Sequence, residues 1–410
     1  MSHLSVALVS EHASPLATLG GADSGGQNVH VASLATEFGR RGCEVTVYTR
    51  RDAPELPVRQ PFGPGVLIEH VDAGPPVAIA KDELPPHMAR FAAVLRARWS
   101  SRPPDVVHAH FWMSGCAGLA AARAMGVPLV QTFHALGAVK RRHQGAADTS
   151  PAMRQGVERA LALTSDAIVA TCSDEVRELT ALGADRHRIH VVPCGIDPAL
   201  FSPCGPPNPP SQPDRRHVAR IVAVSRLVPR KGLAEAVTAL RDVPAAHLVI
   251  AGGPPPRQLA DDAEACRLRE VAAAAGVADR VTLVGGVDRA DVPALLRTAD
   301  VVVCPPWYEP FGIVPLEAMA CGVPVVGTAV GGLLDSVVDG VTGLLVPPRR
   351  PDELARALRL MLGDRRLRER LGRAASAWVR SRFTWDEVAG STLQVYEHVL
   401  DRRVVRRVPA

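Results

Sequence analysis

Aromatic residues are scarce, 4% of the 410 residues, so burial falls to the aliphatic part of an apolar fraction of 47%. Long hydrophobic runs are missing too. No stretch reaches the ~18 uninterrupted apolar residues of a membrane span. The opening LSVALVSEH is too short an apolar run for a signal peptide and carries no basic segment before it. Paired cysteines are absent. Eight cysteines lie scattered at 43, 116, 172, 194, 204, 266, 304 and 321 without a CxxC pair, and no His cluster has metal-ligand spacing. Most sit in apolar runs, where a thiol behaves as a small hydrophobe. These absences predict a cytoplasmic, reducing environment with no disulfide framework. Charge of one sign is not in excess: 47 basic against 42 acidic residues leaves +5. That is too mild and dispersed for a nucleic-acid partner, but it suits a small polyanion held by a few local cations.

What is present is an alternation. Short β-branched runs alternate with longer Ala/Leu/Arg-rich stretches of helical character. The expected strands are 4–9, 45–49, 105–109, 128–132, 167–171 and 189–192, then 219–225, 247–251, 281–284, 300–304 and 324–327. Continuous apolar strands between amphipathic helices indicate a parallel sheet covered on both faces. The fold class is therefore α/β, with two Rossmann-like doubly wound domains. A proline-dense linker at 203–216 separates an N-terminal domain at 1–202 from a C-terminal one at 217–383. A last helix from about Thr384 to Leu400 is expected to fold back over the junction, ahead of a basic tail, RRVVRR. Open α/β sheets bind ligands beyond the carboxyl ends of their strands, so chemistry is sought there.

Three places answer. After the first strand comes a long loop, EHASPLATLGGADSGGQN, with Asp23, Gln27 and Asn28, and a helix begins near Gly25 and Gly26. Glycines ahead of a helix N-terminus let an anion approach the backbone. The loop has neither the dinucleotide fingerprint nor the P-loop lysine. The second place is IVAVSRLVPRKG, where Arg226 follows a strand and Lys231 precedes a helix. A planar fork and a mobile ammonium together suit a diphosphate. The third is PPWYEPFGIVPLEAMACGVPVV, with Glu309 in a loop and a helix from about Gly312. Pro315 fits a first turn and Gly322 with Pro324 a stop. The free N–H groups from Gly312 through Ile313 to Val314 would receive the diphosphate, and Glu317, in or near the first turn, suits a ribose diol. Gly331 and Gly332 offer another backbone approach. His108, His110 and His134 follow at or beyond strand ends, and a lone His is more often structural than catalytic. No Asp-x-Asp occurs. The cations and helix N-termini could neutralise a diphosphate in place of a divalent metal.

Taken together, GGADSGGQN at 20–28, SRLVPRKG at 225–232 and EPFGIVPLEAMACGVPVVGTAVGGL at 309–333 resemble a retaining glycosyltransferase of family 4 with the GT-B fold. The resemblance covers nearly the whole chain. It implies a nucleotide-diphosphate sugar as co-substrate and no other cofactor. Arg226 and Lys231 would bind the donor diphosphate, and Glu317 the ribose. Glu309 would contact the transferred sugar, with the N–H groups of Phe311 and Gly312 on its hydroxyls. Gly25 and Gly26 would lie on the phosphate or acceptor side, His134 near the donor sugar and Arg289 by the base. The catalytic set is then Glu309, His134, Lys231 and Arg226. The nearest branch resembles the sucrose and sucrose-phosphate synthases and the mycothiol-pathway inositol-phosphate transferase. In the latter a Lys, a Tyr, a Thr and an Arg grip an acceptor phosphate. Lys81 and Arg154 fit that set here, with Asn28 beside them, whereas Phe111 and Ala135 stand at the apparent Tyr and Thr places without a hydroxyl.

Other readings stay open at this level. A nucleotide-sugar epimerase could share the fold, and a transferase with a lipid acceptor is compatible with KRRH at 140–143 and the basic tail. A hydroxyl acceptor and a homodimer are compatible as well. UDP is the favoured nucleotide. A two-domain binding protein of periplasmic type is argued against by the cationic diphosphate set.

Overall fold

A computed structural model describes residues 4–16, 25–205 and 218–407. Asp23 and the glycines of the 20–24 segment, most of the proline-dense linker and the last three residues lie outside the described residues. The chain forms two compact units, the first ending at Pro193 and regaining the chain at Trp385, the second spanning Cys194–Thr384.

The first unit holds an eight-stranded sheet. Its strands are β1 (Ser5–Val9), β2 (Glu44–Arg50), β3 (Arg59–Gly63), β4 (Val66–Val71), β5 (Val106–His110), β6 (Leu129–Thr132), β7 (Ala167–Ala170) and β8 (Ile189–Val191), in the order β3-β4-β2-β1-β5-β6-β7-β8. All pair in parallel except β3, which lies antiparallel on the edge. The second unit holds six parallel strands: β9 (Ala219–Val224), β10 (Ala246–Ala251), β11 (Val281–Gly285), β12 (Val301–Cys304), β13 (Val325–Thr328) and β14 (Gly343–Val346). Their order, β11-β10-β9-β12-β13-β14, is the doubly wound order of a mononucleotide-binding sheet. The order reverses between β9 and β12 here, and between β1 and β5 in the first unit. The loops that leave those four strands are the ones the topology offers to a ligand.

Each strand expected from the sequence is present, within a residue or so at either end. The β3–β4 hairpin and β14 were not foreseen. β4 breaks its apolar pattern with Glu69, which is buried and ion-paired with Arg59 at 2.8 Å and Arg98 at 2.6 Å. β14 is four residues long and opens at Gly343, where a Cβ would lie 2.6 Å from the Val325 carbonyl oxygen.

Aliphatic side chains fill most of both cores, and in the first unit Phe91, Trp99, Trp112 and Phe133 join them. The last helix, Trp385–Arg407, is longer than the expected 384–400 and belongs to the first unit. Tyr396 is fully buried against Phe38, with ring centroids 5.6 Å apart, and Arg41 bonds Asp386 at 2.6 Å. All eight cysteines are free. Among the described residues, no helix is long and apolar enough to cross a membrane.

Candidate active site

In the second unit the chain leaves β9 through Ser225 and Arg226 and makes a single 3-10 turn at Pro229–Lys231. Gly232 then starts the next helix at φ +69°, and a Cβ there would sit 1.8 Å from the Pro305 carbonyl oxygen. Only glycine permits that approach, which lays Lys231 against the loop leaving β12. In that loop Lys231 Nζ bonds Glu309 Oε2. Both side chains are largely withdrawn from solvent, 19% and 13% exposed. Burial pulls the Lys231 ammonium below its usual range despite Glu309. Burial also pushes the Glu309 carboxyl up, but Lys231, Arg230 and Arg226 outweigh that push and hold it below the carboxylate range. Glu309 therefore stays ionised. A lysine has three donors, so one ammonium can serve this carboxylate and a diphosphate together.

The loop itself is clamped from behind. The Gly332 amide donates to the Glu309 carbonyl at 2.7 Å. A Cβ on Gly331, at φ +47°, would lie 2.1 Å from that same oxygen, and one on Gly332 2.7 Å from the Phe311 carbonyl. The glycine pair expected to admit a ligand thus admits the protein's own chain and shapes the Glu309 turn. Trp307 adds two bonds, its amide to Arg230 O at 2.8 Å and its indole N–H to Glu235 at 2.7 Å.

Gly312, at φ +72°, caps helix Ile313–Ala320 without a side-chain bond. The amides of Gly312, Ile313 and Val314 lie at its open end, and Pro315 has none to offer. Glu317 corrects the sequence reading: it is the fifth residue of the helix, the first turn holds no acid, and the side chain is 2% exposed. It is no helix-dipole carboxylate. Arg289 Nη1 bonds its Oε1 at 2.6 Å. Burial raises the Glu317 carboxyl and Arg289 opposes the rise. Arg289 in turn lies over the buried Phe201 ring at 5.0 Å. Arg289 and Glu317, read separately from the sequence, form one unit.

In the first unit Glu11 and His12, which the sequence reading passed over, follow β1 directly. Glu11 is buried, bonds Ser114 Oγ, and meets His12 Nδ1 at 2.6 Å. His12 stands edge-on to Phe111 at 4.9 Å. Their signal was position alone: they sit at the reversal of the sheet. Gly25 caps helix Gly26–Arg40 in an extended conformation, and nothing lies within 4 Å of where its Cβ would be. Asn28 is committed to the loop. Its Oδ1 accepts from the Gly25 amide at 3.0 Å and its Nδ2 donates to Ser14 O at 3.0 Å. Arg154 is similarly committed, to Glu158 at 2.7 Å, Ser150 at 3.1 Å and the Ala135 carbonyl at 2.5 Å. Lys81 and Arg154 come together over the Phe111 ring, 5.9 and 5.0 Å from its centroid.

Four histidines, His30, His108, His110 and His134, form a buried cluster. His108 Nδ1 meets the Tyr396 hydroxyl at 2.7 Å and its Nε2 meets Thr132 Oγ1 at 2.8 Å. His110 Nδ1 lies 2.9 Å from His134 Nε2. Burial lowers the basicity of every ring, His30 to about 4 and His108 to about 3, so all four are neutral. His134 has φ +62° and Phe111 φ +80°, in the left-handed region that favours glycine.

A family model for glycosyl transferases group 1 matches residues 211–378, and one for glycosyltransferase family 4 matches 24–200. A D-inositol 3-phosphate glycosyltransferase of Jonesia denitrificans is 39% identical, covering 96% of this chain and 95% of its own. One of Acidothermus cellulolyticus is 39% identical over 97% of this chain and 91% of its own. Among solved structures, the sucrose-phosphate synthase of Thermosynechococcus elongatus has a TM-score of 0.88 at 30% identity, over 97% of this chain and 100% of that one.

Proposed function

The chain belongs to the group 1 and family 4 glycosyltransferases of the GT-B fold, and from that premise we propose that it moves a hexose or N-acetylhexosamine from a UDP-sugar to a hydroxyl acceptor with retention. The Lys231–Glu309 pair, beside the open end of helix Ile313–Ala320, carries this reading. Lys231, Arg226 and the amides of Gly312, Ile313 and Val314 take the diphosphate, and Arg289 holds Glu317 for the ribose. Glu309 serves the transferred sugar. A departing phosphate oxygen takes the proton of the attacking hydroxyl, so the residues serve by electrostatic preorganisation and no protein nucleophile is required. On this reading fixed cations replace a divalent metal.

The relatives named for D-inositol 3-phosphate make a cyclitol the first acceptor to try. Phe111 has no hydroxyl to give a phosphate, and Arg154 already has an internal carboxylate. Both features favour the hydroxyl-bearing ring over its phosphate as the recognised part. The test is nucleotide release from UDP-glucose, UDP-N-acetylglucosamine and their GDP and ADP counterparts, with D-inositol 3-phosphate or myo-inositol, in EDTA and with added Mg²⁺. Acceptor-dependent UDP release in EDTA is expected. Lys231→Ala should lose about 10²–10³ in rate, the effect of removing one transition-state charge stabiliser. Wild-type turnover by that variant would remove the donor-site assignment. A new sugar formed without acceptor would mark an epimerase.

A further inference from the structure

We infer that Arg349 is a positioning residue for Glu309, acting through the Trp307 ring on which its guanidinium is stacked. The inference rests on the reading of Glu309 as the carboxylate that serves the transferred sugar, and it concerns the second unit alone.

Arg349 follows β14 in the run PPRRP at 347–351, just ahead of helix Pro351–Gly363. Its φ of +59° lies in the left-handed region. Among the described residues it is the only non-glycine residue of the second unit with a positive φ. Glycine would take that conformation without the steric cost of a Cβ. Other residues keep it only where their surroundings over-determine them, and they gather at functional sites. The side chain supplies the reason for an arginine. Its guanidinium lies over the Trp307 ring, 4.1 Å from the centroid. At that distance the negative face of the indole attracts the cation.

Trp307 stands two residues before Glu309 in the loop leaving β12. Arg349 covers a face of its ring, and at the ring edge the indole N–H donates to Glu235 Oε1 at 2.7 Å. Its amide donates to the Arg230 carbonyl at 2.8 Å. Arg230 in turn lies over Tyr308, the next residue, 5.2 Å from that ring's centroid. On the far side the Gly332 amide holds the Glu309 carbonyl at 2.7 Å. The turn that carries Glu309 is therefore pinned from behind by Gly332 and from the front by the two aromatics. Loosening the Trp307 ring releases the front of the turn, and with it the carboxylate that bonds Lys231. The strained backbone of Arg349 is what aims a cation at that ring.

The test uses the full chain carrying R349G, R349K, W307L, R349G with W307L, or E309Q. kcat and donor KM are read from UDP release with UDP-glucose and with UDP-N-acetylglucosamine. Kd for UDP is read by calorimetry, and melting temperature is recorded for each protein. R349G relieves the backbone and removes the cation, so it should melt within ~3 °C of wild type. It should nevertheless lose about tenfold in kcat, less than the roughly 10²-fold cost of a full 1 Å misplacement. Its Kd for UDP should stay within about threefold, since the lost interaction is not one with the nucleotide. R349K restores a cation and should return to within about threefold of the wild-type kcat. In the W307L background R349G should cost no more than about twofold, because residues acting along one path are not additive. If W307L fails to fold, the contrast of R349K with R349G decides. R349G at the wild-type rate while E309Q is slow, or a full tenfold loss from R349G in the W307L background, overturns the positioning role alone. So does an R349G that loses melting temperature, UDP affinity and kcat together, which marks a structural role. E309Q at the wild-type rate overturns the reading of Glu309 and the inference with it.

Discussion

Acid should unfold the first unit through its histidines, and His30 gives the cleanest measure. The ring is 1% exposed and packed edge-on to Trp385 at 5.3 Å and to His134 at 5.2 Å. Its basicity is lowered from 6.5 to about 4 by burial. The sign follows from proton counts. Between about pH 4 and 6.5 the unfolded chain binds a proton at this site and the folded chain does not, so stability falls as pH falls. The contribution is complete above about 6.5 and is lost toward 4. At ~1.36 kcal/mol per pH unit, moving from pH 7.5 to 5 costs about 2 kcal/mol for this one group. Other groups titrate too, so the quantity to measure is a difference. Urea unfolding of wild type and His30→Gln, followed by tryptophan fluorescence at both pH values, isolates it. The wild type should lose about 2 kcal/mol more than the variant, roughly 1 M in midpoint for a slope of about 2 kcal/mol/M. Any fixed cost of the substitution cancels. Equal losses in the two proteins would mean that His30 is solvated or charged in the fold, and the neutral cluster would have to be abandoned.

The second unit yields two further expectations. Arg289→Ala leaves Glu317 buried without its charge partner and should cost about 3 kcal/mol at pH 7.5. That is the low end for such a loss, because Arg289 keeps 26% of its side chain exposed. A urea-derived loss under ~0.5 kcal/mol, the level of an ordinary surface change, would contradict the pair's structural weight. Gly331→Ala drives a Cβ to 2.1 Å from the Glu309 carbonyl and should slow transfer by at least ~10-fold through displacement of the Glu309 loop. Gly156→Ala, where a Cβ meets nothing within 4 Å, is the control and should keep its rate.

The sheets were legible because their strands are plain. Ile221–Val224 or Val301–Cys304 has no polar residue to interrupt it, and burial on both faces demands that composition. The β3–β4 hairpin was not legible because its polarity is satisfied by tertiary contacts. Glu69 reads as a solvated acid until Arg59 and Arg98 are brought beside it. The last helix was legible as a helix, but its partners were not. Tyr396 reaches His108 across 288 residues of sequence, and no local pattern reports that distance. The spacing of His108 and His110 does place two rings on one face of β5, since a strand repeats every second residue. A pair rather than two lone histidines could have been inferred from it.

The motifs themselves were readable singly, and what they lacked was adjacency. Lys231 and Glu309 stand 78 residues apart, each at the end of a strand, and each could serve a diphosphate or a sugar alone. They meet because β12 crosses back to lie beside β9 instead of beside β11. Right-handed crossovers favour that return in a doubly wound sheet, so the reversal point follows from topology once the strands are numbered. The same rule applied to the first sheet points to β1 and β5, and hence to Glu11, His12 and Phe111. Locating the strand-order reversal before weighing individual residues would have found Glu11 and His12. It would also have joined Lys231 to Glu309 as one group, because a reversal places the ends of two strands, and their charges, within reach of one ligand. The Arg289–Glu317 pair shows the limit of that rule. Arg289 follows β11 at the sheet edge, two strands from the reversal, and reaches Glu317 through the length of its own side chain, which strand order alone does not encode.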